Sequence, residues 1–144
     1  MVHEDTVKLL RECDAGVSMG ISAIEGVMEH VRAEELRSSL NISKEKHEEI
    51  RSEIRDMLDS YSDIGKNPSP MAKAMSRAKC AVMLGMRSSD GTVADIITDG
   101  CNMGVKSLSK YLNRYKAASE RSKDIAKKLI AMEDTLAKDI RGYL

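Results

Sequence analysis

Apolar residues recur at alternating steps of three and four positions along the first part of the chain, the spacing of one face of an α-helix. The stripe consists of Val7, Leu10, Val17, Ile21, Ile24, Met28 and Val31, interrupted only by Asp14. This pattern predicts a first helix from about Glu4 to about Leu40. The stretch SLNIS (residues 39–43) then predicts a turn, because asparagine favours helix C-termini and serine favours N-caps.

A second helix is predicted from about Ser43 to Ile64, where the same spacing continues through His47 and a row of apolar residues. Gly65 is expected to end this helix. The following stretch, KNPSP (residues 66–70), breaks any helix, because its prolines lack backbone donors and disfavour helical geometry in the residues before them. The chain therefore changes element near residue 65.

The pattern returns after this break. Residues 71–86 are predicted to form a short helix that is apolar nearly all round, and RSSDG (residues 87–91) a turn. A third helix is predicted from about Thr92 to Lys116 and a fourth from about Glu120 to Arg141. A tight turn at AASERS separates these last two helices.

These elements predict one all-α domain of 144 residues, an antiparallel four-helix bundle with a short fifth helix in a long crossover. Hairpin 1 covers about residues 4–65, the crossover about 66–91 and hairpin 2 about 92–144. Such a crossover can travel the length of the bundle, so the second and third helices can run parallel. A bundle with one long crossover is of the ferritin-like type.

Two short matches indicate that the hairpins are an internal repeat. CDAGV at residues 13–17 recurs as CNMGV at 101–105, and EIRDML at 53–58 resembles DIRGYL at 139–144. A duplicated hairpin relates the first and third helices by a pseudo-two-fold axis, near which they cross. We expect Gly16 and Gly104 to form that crossing, where close packing offsets the cost of a helical glycine, about 0.5–1 kcal/mol. The alternative is that Gly16 and Gly20 only loosen a surface turn.

The helix layout and the Cys-x-x-Gly stretches resemble the ferritin-like superfamily. More narrowly, the chain is similar to an uncharacterised bacterial domain family of comparable length, whose first and third helices carry similar stretches. This resemblance implies the fold. It does not extend to di-iron chemistry, because the Glu-x-x-His motifs of catalytic members are missing: Lys44 stands three residues before His47, and Val27 before His30.

Composition narrows the class of partner. The sequence has 23 basic and 23 acidic residues and only 3% aromatic residues, which argues against nucleic-acid binding. The longest apolar run, CAVMLGM, is too short for a membrane span, and the acidic first residues do not resemble a signal region. Three cysteines without metal-finger spacing favour a cytoplasmic location.

Three polar side chains fall on or beside the predicted inward stripes: Asp14, His47 and Glu133. Counting residues from the predicted turns places His47 several helical turns away from the other two, so no single metal site is expected to contain all three. We expect His47 to be packed with one hydrogen bond and Asp14 to lie in a buried hydrogen bond or salt bridge. Glu133 is expected to pair with a lysine such as Lys106 or Lys110.

Two alternatives to a purely structural interior remain open. A divergent metal or redox site for iron or manganese would use carboxylate and imidazole ligands, and the candidates are Glu25, Glu29, His30 and Glu133. A groove for an apolar ligand or a partner helix would use the adaptable thioethers of Met71, Met75, Met83 and Met86. Cys13 and Cys101 are expected to be small core residues.

The sequence contains no phosphate-binding loop, nucleophile motif or paired-carboxylate motif, so no catalytic residue and no cofactor are predicted. The favoured interpretation is a non-catalytic bundle that acts through self-assembly or a protein partner. A symmetric homodimer is expected, because Val27, Leu36, Leu40 and much of the methionine-rich segment exceed what a four-helix core is expected to cover.

Overall fold

The computed structural model describes residues 2–63, 65–66, 68, 79–81, 83–85 and 88–144. The four long helices are α1 (Val2–Val27), α2 (Glu34–Ser60), α3 (Asp90–Arg114) and α4 (Glu120–Ile140). Short 3-10 helices follow α1 and α4, at Met28–His30 and Arg141–Tyr143, and residues 79–81 and 83–85 are also helical. These residues include no strand, which confirms the all-α prediction for the described part of the chain.

The turn between α1 and α2 lies at residues 28–33, well before the predicted turn at residues 39–43. The backbone is extended at Val31 and Ala33, with ψ of 130° and 127°. The carboxylate of Asp90, at the start of α3, accepts the N–H groups of Arg32 at 2.7 Å and Ala33 at 3.0 Å. A side chain from the other half of the sequence therefore satisfies the donors that this turn leaves free.

The predicted end of the first helix near Leu40 is therefore wrong. The stretch SLNIS lies inside α2, where Leu40 and Ser43 are buried and continue the stripe to His47. The preference of asparagine and serine for helix ends is small, and a continuous buried face outweighs it.

The C-terminus of α2 is closed by Ser62, which has a left-handed backbone with φ of 58°. The Ser62 N–H donates to the Asp59 carbonyl and the Asp63 N–H to the Leu58 carbonyl, both at 2.9 Å, which is the Schellman arrangement. The prediction that Gly65 ends this helix is therefore wrong. Gly65 lies farther along, with φ of 84°.

The boundaries of α3 and α4 agree with the predicted ones to within about half a turn, whereas both ends of the short helix predicted at residues 71–86 lie outside the described residues. Ser89 precedes α3 and Ser119 precedes α4, and each hydroxyl accepts a backbone N–H from three residues further on, at 3.2 Å. This is the N-cap arrangement that satisfies free donors in the first helical turn. The predicted tight turn between the last two helices is confirmed at residues 115–119.

The four long helices pack side by side, and α1 and α4 each contact both α2 and α3. Contacts at both ends show that α1 and α3 are antiparallel: Asp90 binds the turn after α1, and the Ser119 N–H, beyond α3, donates to the Thr6 hydroxyl at 2.8 Å. Pairing of α2 with α4 is also antiparallel. The helices α2 and α3 thus lie at opposite corners and run parallel, as the long crossover predicts.

Buried apolar residues form two clusters, one toward each end of the four helices. The first cluster includes Leu9, Leu10, Cys13, Val17, Ile21, Ile50, Ile54, Leu58, Leu108, Ile125 and Leu129. The second includes Ile24, Val27, Val31, Leu36, Leu40, Leu84, Val93, Ile97, Cys101, Leu136 and Ile140. Because Val27, Leu36 and Leu40 are fully buried within one chain, they do not need the cover of a second copy.

Within the described part of the chain, every helix is too short or too polar to cross a membrane.

Candidate functional site

A histidine and a glutamate are bonded to each other between the two apolar clusters. Nε2 of His47, on α2, lies 2.5 Å from Oε1 of Glu133, on α4. His47 is 1% exposed and Glu133 is 8% exposed. On both α2 and α4, the buried residues on one side of the pair belong to the first apolar cluster and those on the other side belong to the second. The pair therefore forms a polar layer between the two halves of the core. It joins α2 to α4 across the interior.

The second ring nitrogen of His47 fixes the protonation of the pair. Nδ1 lies 2.7 Å from the Ser43 carbonyl oxygen, which only accepts, so Nδ1 carries a hydrogen. The short contact between Nε2 and Glu133 then requires one further proton, held either by the imidazole or by the carboxyl group. The pair is therefore an imidazolium with a carboxylate, or a neutral imidazole with a carboxylic acid.

The surroundings favour the imidazolium. Burial on its own lowers the pKa of His47, because the charged ring loses its hydration. The hydrogen bond to Glu133, the charge of Glu133 and the hydrogen bond to Ser43 act in the opposite direction and outweigh burial. The pKa of His47 is therefore raised above its usual value, which favours the imidazolium–carboxylate form of the pair.

A glycine on α1 makes room for the pair. A Cβ atom on Gly20, in α1, would lie 2.9 Å from both Cδ2 and Nε2 of His47, closer than real Cβ contacts allow. On α3, a Cβ atom at Gly104 would meet the Glu133 side chain at 3.6 Å, an ordinary contact. The glycine that the interior requires is thus Gly20, because the imidazole lies against the backbone of α1.

The predicted helix crossing at Gly16 and Gly104 is wrong. Gly16 is exposed, and a Cβ atom there would meet nothing within 4 Å. At Gly104 the near atoms belong to the Glu133 side chain rather than to the backbone of α1. The alternative, that Gly20 only loosens a surface turn, is wrong too, since Gly20 lies against His47.

The expected separation of His47 from Glu133 is wrong as well. The misplaced first turn shifted the register of α2 against α1, and this put His47 near one end instead of at the centre. His47 is hydrogen-bonded at both ring nitrogens, and Glu133 pairs with it rather than with Lys106 or Lys110.

Asp14 is buried and paired, as predicted. Its Oδ1 accepts a hydrogen bond from Arg55 Nε at 3.2 Å, and its Oδ2 accepts the Lys66 N–H at 3.0 Å. A Cβ atom on Gly65 would collide with the same carboxylate, so a glycine is needed where the chain leaves α2. Asp14 therefore attaches the start of the crossover to α1 and α2.

The buried cysteines have the properties of core residues, which confirms that prediction. Burial, and then the charges of Glu12 and Asp14, raise the pKa of Cys13 to about 12. Burial, followed by the nearby charge of Glu133, likewise raises the pKa of Cys101. Both thiols are neutral at physiological pH and are therefore poor nucleophiles.

The other candidate residues lie elsewhere. Glu25 lies 3.4 Å from Lys44, and His30 lies 3.4 Å from Glu29 and 3.0 Å from Ser88. The candidates Glu25, Glu29 and His30 line an open cleft of about 650 Å³ between α1 and residues 79–85, away from Glu133. In the described part of the chain, no three His, Cys, Asp or Glu side chains lie close enough to hold a metal ion.

Of the four methionines in the predicted groove, only Met83 lies among the described residues. Met83 is partly buried and packs against the second apolar cluster, together with Cys80. Met71, Met75 and Met86 lie outside the described residues. Met83 thus contributes to the core where the crossover approaches α3.

No family model matches the chain, and neither the curated proteins nor the solved structures give a match.

Proposed function

We propose that the protein is a non-catalytic, cytoplasmic helical bundle of the ferritin-like type that acts through self-assembly or a protein partner. The arrangement of the four long helices supports this fold type. Antiparallel neighbours surround a diagonal pair, α2 and α3, which run parallel and are joined by the long connection from residue 61 to residue 89. A bundle with one long crossover connects its helices in this way.

The residues at the centre of the bundle are the observation that supports the non-catalytic part of this proposal. Ferritin-like catalysts place carboxylates and histidines from all four helices there. Here α1 contributes Gly20, which has no ligand atoms, and α3 contributes Gly104 and the neutral thiol of Cys101, while His47 and Glu133 are bonded to each other. These residues do not fit a di-metal centre.

The helix boundaries support the proposed internal repeat. The first residues of α2 and α4 are Glu34 and Glu120, 86 positions apart. This is the same offset as that between the matches EIRDML and DIRGYL. His47 and Glu133 are also 86 positions apart, so equivalent residues of the two proposed hairpins meet at the centre.

Metal analysis tests the non-catalytic part. We expect protein purified without chelator to contain far less than one iron or manganese ion per chain and to show no metal-dependent absorption band. Stoichiometric iron or manganese that is lost in a Glu133→Gln variant would overturn the proposal, because the interior pair would then be a ligand set.

Sedimentation equilibrium tests the assembly part. We expect the mass of two chains at micromolar concentration, because large apolar side chains remain on the outer surface, with Ile42 50% and Met103 69% exposed. Replacement of Ile42 or Met103 by glutamate is expected to reduce the mass to that of one chain when the residue lies in the interface. A mass of one chain for the parent protein would contradict the homodimer.

A further inference from the structure

We propose that the His47–Glu133 pair is a proton-operated latch between α2 and α4, closed while it holds its shared proton and released when alkaline solution removes that proton. The inference does not depend on the proposed function. It follows from the hydrogen-bond geometry, because Nδ1 of His47 is already committed to the Ser43 carbonyl at 2.7 Å. One remaining proton holds Nε2 and Oε1 at 2.5 Å.

Loss of this proton removes the bond. Hydroxide takes the Nε2 proton and forms water, leaving a neutral imidazole and a carboxylate. The Nε2 lone pair then faces a carboxylate oxygen, and two acceptors at this distance repel each other. The Glu133 carboxylate then keeps only the weak S–H donor of Cys101, which compensates its burial poorly, so the His47 and Glu133 side chains are expected to separate.

The other groups around the pair do not replace the lost proton. From α3, the Cys101 thiol faces Glu133 and stays neutral, and from α4 the next carboxylate is the exposed Asp134. The α1 side is Gly20, which has no titratable group, and on α2 the nearest polar side chain is Ser43, with its Oγ 3.4 Å from Nδ1. The response to pH is therefore assigned to the pair itself.

The position of the His47–Glu133 pair in the fold determines which part of the bundle loosens when the pair opens. The pair lies between the two apolar clusters, whereas the ends are held by other contacts. At one end Asp90 binds the turn of residues 28–33, and at the other Thr6 binds Ser119. Opening of the latch is therefore expected to loosen the centre of α2 and α4 first.

The direction of the pH dependence follows from the raised pKa of His47. A histidine with a raised pKa in the folded state contributes stability that is fully present below its unfolded value, about 6.5, and is lost as pH rises through the folded value. Between these two values the closed state holds one proton more than the open state. The equilibrium constant for opening then increases about tenfold per pH unit in this window.

Native-state hydrogen exchange between pH 6 and 9.5 tests the proposal on the intact protein. With rates corrected for intrinsic exchange, the protection of amides near residues 47 and 133 is expected to fall about tenfold per pH unit above about pH 6.5 and then to level off. Amides beside the end contacts are expected to change less. An equal fall at the centre and the ends, or none at the centre, would overturn the latch.

The matched control is Glu133→Gln. The glutamine amide can donate to a neutral His47, so the bond between the helices is retained without the titrating proton. We expect the protection near residues 47 and 133 to become independent of pH, and the same slope in this variant as in the parent would overturn the proposal.

A second measurement needs no variant. Titration of the His47 ring by NMR in the parent protein is expected to give a midpoint above about 6.5, the value for an unperturbed histidine. A midpoint at or below that value would overturn the latch.

Discussion

Replacement of Glu133 by alanine is expected to lower the free energy of unfolding by about 3–5 kcal/mol, because it leaves an uncompensated buried partner. His47 would keep its bond to Ser43 but would lose the carboxylate charge that favours its imidazolium form. Urea unfolding followed by circular dichroism at pH 6 measures the effect, since the ion pair contributes fully at this pH.

A double variant separates the ion pair from the packing around it. With His47→Leu and Glu133→Met together, the interior becomes apolar at similar volume, and such exchanges of a buried pair are often neutral or stabilising. We therefore expect the double variant to be much more stable than Glu133→Ala and close to the parent. Equal losses in the two variants would show that the intact pair is itself strongly stabilising, because the double variant leaves neither an unpaired buried group nor a cavity of comparable size.

Helix periodicity predicted most of the fold, because the signals for α3 and α4 are local. Ser89 and Ser119 are N-caps within the sequence of their own helices, and their hydroxyls bind the helices that they precede. The first turn has no such local signal. It is held by the Asp90 carboxylate, 57 and 58 positions away from the two residues that it binds.

This single misplaced turn also hid the candidate site. The sequence predicts His47 and Glu133 as polar residues on inward faces, but a first helix that ends near Leu40 places them at different heights along the bundle. The proposed repeat contained the missing information. Its offset of 86 relates EIRDML to DIRGYL and also relates His47 to Glu133. Equivalent residues that lie near a two-fold axis meet, so this offset alone could have brought the two side chains together.

The two glycines of CDAGVSMG show a second feature that could not be predicted from the sequence alone. Gly16 and Gly20 are one helical turn apart, so periodicity assigns them to neighbouring positions on α1. What distinguishes them is the ring of His47, which lies against Gly20 and not against Gly16. That contact depends on the register of α2, which the sequence did not predict.

Alanine substitutions at these two positions are therefore expected to change the stability of the protein in opposite directions. Gly20→Ala adds a Cβ atom 2.9 Å from two atoms of the His47 ring. The ring is held by hydrogen bonds at both nitrogens and is buried, so it has little freedom to move away. Overpacking of this kind costs about 1–3 kcal/mol, which exceeds the gain in helix propensity of about 0.5–1 kcal/mol. We expect a net loss of stability, with a lowered pKa of His47 as the ring leaves Glu133.

Gly16→Ala is the matched control, since it makes the same chemical change one turn earlier on the same helix. The added methyl group meets nothing within 4 Å, so the gain in propensity is not opposed and the protein is expected to be about 0.5–1 kcal/mol more stable. Urea unfolding of both variants at pH 6 gives the two signs. If both variants gain stability, the imidazole does not lie against α1, and the register that brings His47 to Glu133 is incorrect. If both lose stability, α1 is instead closely covered at Gly16, as the crossing hypothesis required.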